Sequence, residues 1–299
     1  VSPSVPDLPI ALPPVEDSAG ARQIVVTREM WEAKTQRHRA RVADHAEAFV
    51  QRRSQNAKHP VWDFLFTYYS FSPNKLMTWV PGLAGGCVSA EGTETVTWDA
   101  PPMPARVQRE ARWVAQLCQN ITSRPARFAC HGLHEWAMVY KQSAEQVRHS
   151  GYDLRLSAEE LAAFVESQTV CCTHFDAYRF YTPEARPLNT FNPTFETRQE
   201  MEQGGCLHAN MDLYKWAYKL WPWIGSDLVA DAFEVALMGR AMDMRASPYQ
   251  LTDLGFEPIR IETESGRADY RAAQQNLANA AQAVRSKLGV AAQTLSDLI

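Results

Sequence analysis

The chain has 299 residues, of which 45% are hydrophobic and 21% charged, with a formal net charge of −4 and a pI near 6.1. This length holds one large domain or two small ones, with enough apolar residues for a sizeable core. The acidic balance does not favour DNA as a partner. No run of about 18 apolar residues suggests a membrane span, and six cysteines without a CxxC pair argue against a thiolate zinc site.

Residues 1–24, with Pro3, Pro6, Pro9, Pro13 and Pro14, read as an extended arm. Residues 25–299 read as a single, mainly α, bundle-like catalytic domain with a few short strands. No basic segment followed by an apolar run opens the chain, so a cytoplasmic protein is expected. Thr27 and Glu29 look like a helix start, and a long helix follows over 28–54, burying Trp31, Val42, Ala46 and Phe49. Its basic run, Arg37 to Arg41, reads as a solvated face offset by Glu32, Asp44 and Glu47.

His59 and Pro60 open a second helix, apolar nearly all round through Tyr69, with Asp63 as a buried carboxylate in need of a partner. Ser72 and Pro73 start a short helix. Residues 80–102 are irregular apart from a strand over 94–98. Helices are expected over 105–122, 127–142, 157–168, from Gly205 onward, over 226–244 and over 269–288. Strands are expected over 169–179 and 257–263, and 182–197 reads as a long loop, often a functional feature.

A His and a carboxylate recur four residues apart: His59 and Asp63, His131 and Glu135, His208 and Asp212. On a helix each pair shares one face, one turn apart. His174 and Asp176 are a fourth pair at the alternate spacing that shares a face on a strand. If the helices pack together, imidazoles and carboxylates converge in the core, as in helical bundles that hold iron or manganese. Nitrogen and oxygen donors without thiolate suit iron, manganese or zinc. Neither Glu-x-x-His nor HExxH is present. The plainer reading is local: His59 caps a helix, Asp63 satisfies an arginine, and Asp212 pairs with Lys215. Cys206 reads as a nucleophile at a helix start or as a buried packing residue. Asp243 and Arg245 can pair at the end of the 226–244 helix. Trp62, Trp136 and Trp216 lie near the pairs, as core residues or as a wall for a flat substrate.

The segments His59-Pro-Val-Trp-Asp-Phe-Leu-Phe-Thr-Tyr-Tyr, Gly132-Leu-His-Glu-Trp-Ala-Met-Val-Tyr, Cys206-Leu-His-Ala-Asn-Met-Asp-Leu-Tyr-Lys-Trp and Asp243-Met-Arg-Ala-Ser-Pro-Tyr resemble a bacterial family commonly labelled 3-methyladenine DNA glycosylase. The resemblance spans roughly residues 28–285. It implies release of a base from alkylated DNA, with the flipped base stacked on aromatics such as Trp62 or Trp136. The helix-hairpin-helix signature is absent: Val80-Pro-Gly-Leu-Ala-Gly-Gly has no basic helix after it, and Asp99 is the candidate acid there.

The residues point first to a metal-dependent enzyme that activates water or dioxygen on a small-molecule or nucleobase-like substrate. Its expected metal ligands are His59, His131, Glu135, His174, His208 and Asp212. Its expected catalytic groups are Asp63, His134, Asp176, Asp243 and Arg245. The metal is iron, manganese or zinc, and no nucleotide cofactor is expected. The alternatives are metal-free acid-base catalysis, a DNA or nucleoside N-glycosylase, and a non-catalytic binding protein.

Overall fold

A computed structural model describes residues 22–84, 92–143, 147 and 151–298. Most of the expected Pro-rich arm, and Gly85 and Gly86 of the Gly-rich segment, lie outside the described residues. The described chain is mainly α, with one two-stranded antiparallel sheet. In order it runs β1 (Gln23–Thr27), α1 (Arg28–Ser54), α2 (Phe64–Thr67), α3 (Pro73–Met77), β2 (Thr95–Asp99), α4 (Ala105–Ser123), α5 (Leu133–Ala137), α6 (Ala158–Ser167), α7 (Phe175–Tyr178), α8 (Arg198–Met201), α9 (Leu207–Lys219), α10 (Ser226–Ala246) and α11 (Glu264–Ser296). β1 pairs with β2 from Gln23 opposite Asp99 to Thr27 opposite Thr95. No helix of the described residues is long and apolar enough to cross a membrane.

Local chemistry sets the long helices. The Thr27 side chain accepts the Met30 N–H and caps α1, whose Val42, Ala46 and Phe49 are buried at helical spacing. Trp31, expected inside, is only half-buried. α4 buries Val107, Ala111, Val114 and Leu117 as expected. Ser157 and Glu160 form a reciprocal capping box on α6. α11 begins earlier than its spacing suggested, because Thr263 caps it by accepting the Gly266 N–H.

α9 is the centre of the molecule, packed against α10 and α11, while α4 lies on α11 and α1 on α3 and α10. Leu207, Met211, Leu213, Tyr214 and Ala217 of α9 are all buried. Full burial of a large apolar side chain contributes about 1.5–3 kcal/mol, so this helix is held by its whole circumference. Gly239 permits the close approach of α10: a Cβ there would meet Met211 Cγ at 2.5 Å.

Four expected elements differ. The helix over 59–69 is reduced to turns and α2. The helix over 127–142 shrinks to α5, because His131 (φ 44°) and Gly132 (φ 73°) are left-handed and cannot continue a right-handed helix. No strand forms over 169–179; Val170 makes one isolated bridge to Asn189, and the Asn189 side chain takes the Cys172 N–H and C=O that a strand partner would use. Residues 257–263 are irregular, with Ile259 N–H donating to the Arg245 carbonyl in place of a ladder.

Candidate metal centre

Two trios of ligand-type side chains lie in the core, each with one atom per residue within 4.8 Å of the others: His134, His208 and Asp243, and His174, Glu202 and Asp212. They come from five places in the chain. α5 supplies His134, the start of α7 supplies His174, and the turn after α8 supplies Glu202. α9 supplies His208 and Asp212, and α10 supplies Asp243. The trios adjoin through imidazoles. The His208 ring is 4.4 Å from that of His134, edge on, and 5.4 Å from that of His174, stacked. The expected i,i+4 pair on α9 thus shares one face, with one member in each trio.

In the first trio His134 Nε2 donates to Asp243 Oδ1 at 2.6 Å, and Arg240 Nη1 donates to Asp243 Oδ2 at 2.8 Å. Burial pushes the Asp243 carboxyl up, but the His134 and Arg240 charges outweigh it and hold the group well below the usual carboxylate range. Burial works against the charged His134 imidazole, yet Asp243 raises it overall. His208 is different: burial and then the neighbouring His134 hold it far below an ordinary histidine, so it is a neutral base with a lone pair to offer.

In the second trio His174 Nε2 donates to Asp212 Oδ2 at 3.2 Å. Lys215 donates to the same oxygen and also to Asp176 Oδ2 at 3.0 Å, and Arg198 pairs with Asp176 as well. Burial raises the Asp212 carboxyl, but Lys215 and His174 together hold it far below the usual value. Glu202 stands apart. It is fully buried, neither carboxylate oxygen accepts a hydrogen bond, and it faces His174 Nε2 at 3.5 Å and Arg198 Nε at 3.9 Å. Burial pushes its carboxyl above the usual range. His174 Nδ1 is likewise buried without a hydrogen bond. Buried polar atoms are nearly always bonded to protein, water or an ion, so the Glu202 carboxylate and His174 Nδ1 could take a further partner.

A cavity of about 20 Å³ adjoins the centre, lined by His134 and His208 with Thr173, Gln203, Cys130, Cys171, Cys172 and Cys206. It holds one water-sized species. Burial pushes the Cys172 thiol up to about 12, Cys171 to about 11 and Cys206 well above its ordinary value, which favours the packing role for Cys206 over the nucleophile.

Of the expected ligands, His174, His208 and Asp212 meet here, joined by His134 and Asp243 from the expected catalytic set. Asp176 sits one step out, bridged by Lys215. The rest lie elsewhere. His59 is outside any helix; its Nδ1 accepts the Val61 and Trp62 N–H groups, and Asp63 accepts from Arg52 at 2.6 Å and from His59 N–H. This pair is the local cap and arginine partner of the plainer reading. His131, with its left-handed backbone, leaves the α5 face and meets Arg271 at 3.3 Å. Glu135 is buried beside Arg240, 3.6 Å from Nη1, and belongs to neither trio. Arg245 is exposed and donates to the Glu257 carbonyl. It cannot pair with Asp243 as expected, because two residues on a helix diverge by about 200°. Asp99 is exposed at the end of β2 and accepts from Gln23. Trp136 is fully buried and donates to the Ala246 carbonyl, as a core residue.

Glu202 was not expected. Its only local signal is a carboxylate just before Gly204 and Gly205, which lead into α9. Scans and searches of protein-family models, curated proteins and solved structures match nothing to this chain.

Proposed function

We propose that the protein is a metal-dependent enzyme whose two trios each hold a transition-metal ion, with water or dioxygen as the activated species. The observation that carries this reading is Glu202: a fully buried carboxylate without a hydrogen bond, facing His174 and next to Asp212. Asp212 and Asp243 have cations of their own, Lys215 and Arg240. A divalent ion supplies what Glu202 lacks, and three imidazoles with three carboxylates suit iron, manganese or zinc. Such an ion acts as a Lewis acid and lowers the pKa of bound water.

The surrounding residues have separable tasks. Lys215 and Arg198 fix Asp176 and Asp212, and Arg240 fixes Asp243, which orients the donors. His208, neutral and adjoining the water-sized cavity, offers its lone pair to the ion rather than to a proton. Thiols and Leu133 give that cavity a largely apolar wall.

Metal analysis of untagged protein tests the reading. The expected result is stoichiometric iron, manganese or zinc, with His208→Ala losing one ion and Asp212→Ala the other. Less than about 0.1 equivalents of any transition metal, without stabilisation by added iron, manganese or zinc, overturns it. Base release from alkylated DNA that persists in metal-free protein would instead favour the glycosylase chemistry implied by the resemblance.

A further inference from the structure

A second and much larger cavity opens on the other side of Arg240. Its volume is about 660 Å³, within the usual range for organic ligands and far more than an inorganic ion needs. Its walls carry Arg53 at the end of α1 and Lys58 in the segment after it, the rings of Phe64 and Tyr152, and His59 with Asp63. The charges there are unbalanced. Both Asp63 oxygens are taken, Oδ1 by Arg52 and Oδ2 by the His59 N–H. Among the described residues Arg53 and Lys58 form no ion pair. Arg240 closes the inner wall, donating to the Pro60 and Val61 carbonyls and to Asp243, with its guanidinium carbon 4.3 Å from the Phe64 ring centre. Burial, then Arg52, keeps His59 below an ordinary histidine, so it adds no competing charge at neutral pH.

We infer that this pocket binds an aromatic anion, with Arg53 and Lys58 on the anionic group and Tyr152 against the ring, Phe64 offering only its edge because Arg240 and Tyr68 cover its faces. Arg53, whose guanidinium lies 5.8 Å from the Phe49 ring centre, and Lys58 have no ion-pair partner among the described residues, and such cations select a phosphate or carboxylate, while a flat ring selects a flat body. The volume has room for both features in one ligand. Arg240 is the shared wall between this pocket and Asp243, so a ligand seated here lies one side chain from the buried centre. The binding site stands on the pocket residues alone and does not depend on what the centre holds.

Calorimetry with 1-naphthyl phosphate, 1-naphthol and inorganic phosphate tests it without turnover. Naphthyl phosphate is expected to bind at least about tenfold more tightly than either part alone, a difference of about 1.4 kcal/mol. The double variant Arg53→Ala, Lys58→Ala removes exposed side chains, so it keeps the melting curve while weakening naphthyl phosphate at least about tenfold and leaving naphthol unchanged. Tyr152→Leu weakens naphthyl phosphate and leaves inorganic phosphate unchanged. Equal binding of naphthol and its phosphate, unchanged binding by the double variant, or no binding up to about 1 mM overturns the inference.

Discussion

His208 and Asp212, one turn apart on α9, serve different ligand groups: the first joins His134 and Asp243, the second joins His174 and Glu202. A single helix face therefore bridges both trios. The register of α9 against α10 fixes the His208–Asp243 side, while on the Asp212 side Glu202 and His174 come from turns. A rigid helix holds such donors more tightly than loops do.

Glu202→Gln separates a structural role from a ligand role. The amide keeps the shape and removes a buried charge that accepts no hydrogen bond, so metal-free protein should gain about 1–3 kcal/mol in urea unfolding. The same change should abolish the stabilisation by added iron, manganese or zinc. Loss of stability in the metal-free variant would show that Arg198 and His174 already satisfy the carboxylate.

His59→Ala and His131→Ala should leave metal content unchanged. His59 caps the turn before α2, and its loss should cost about 1 kcal/mol, the usual value of a cap. His131 touches only the outer side, near Arg271 and Tyr270. Metal loss in either variant, measured by elemental analysis, would place these residues back among the ligands.

Gly239→Ala tests the packing that sets the centre. The new methyl would collide with Met211 Cγ at 2.5 Å and force α9 from α10. A cost of about 1–3 kcal/mol is expected from overpacking. Because Asp243 lies one turn further along α10, metal affinity should fall with stability. Pairing Gly239→Ala with Met211→Ala relieves the clash and should restore metal affinity, while stability stays low because a buried methionine is lost.

Acid stability should depend on Asp231. This carboxylate on α10 pairs with Arg41 of α1 and Lys287 of α11. Burial raises it, but Arg41 and Lys287 outweigh burial and hold it below its ordinary 3.8. A folded-state value below the unfolded one means that the contribution is complete above about pH 4 and is lost as pH falls through the folded value. Asp231→Asn should therefore lower stability at pH 7 by about 1 kcal/mol and flatten its fall between about pH 4 and pH 2. An unchanged slope would refute the assignment.

The long helices were legible because their signals are local. Thr27, the spacing of Val42, Ala46 and Phe49, and the Ser157 capping box each act within a few residues. The His208 and Asp212 pair was legible for the same reason. The other two i,i+4 pairs misled because the spacing matters only inside a helix, and Gly132 breaks the helix that His131 needed. Glu202 was hidden because its neighbours in space, His174 and Asp212, are remote in sequence and its own segment shows no periodicity. Arg240 was hidden because an arginine on a helix gives no sign of being buried; only the fold puts the Pro60 and Val61 carbonyls against it.

The size of the inner cavity also sets a clock. With room for one water-sized species between His208 and the thiols, an ion of the proposed kind that entered by this cavity would have to shed most of its water shell. Entry and escape by that route would require a local opening with its own free energy. Ions seated in the centre should exchange slowly with solution, over the lifetime of that opening, even where their equilibrium affinity is modest.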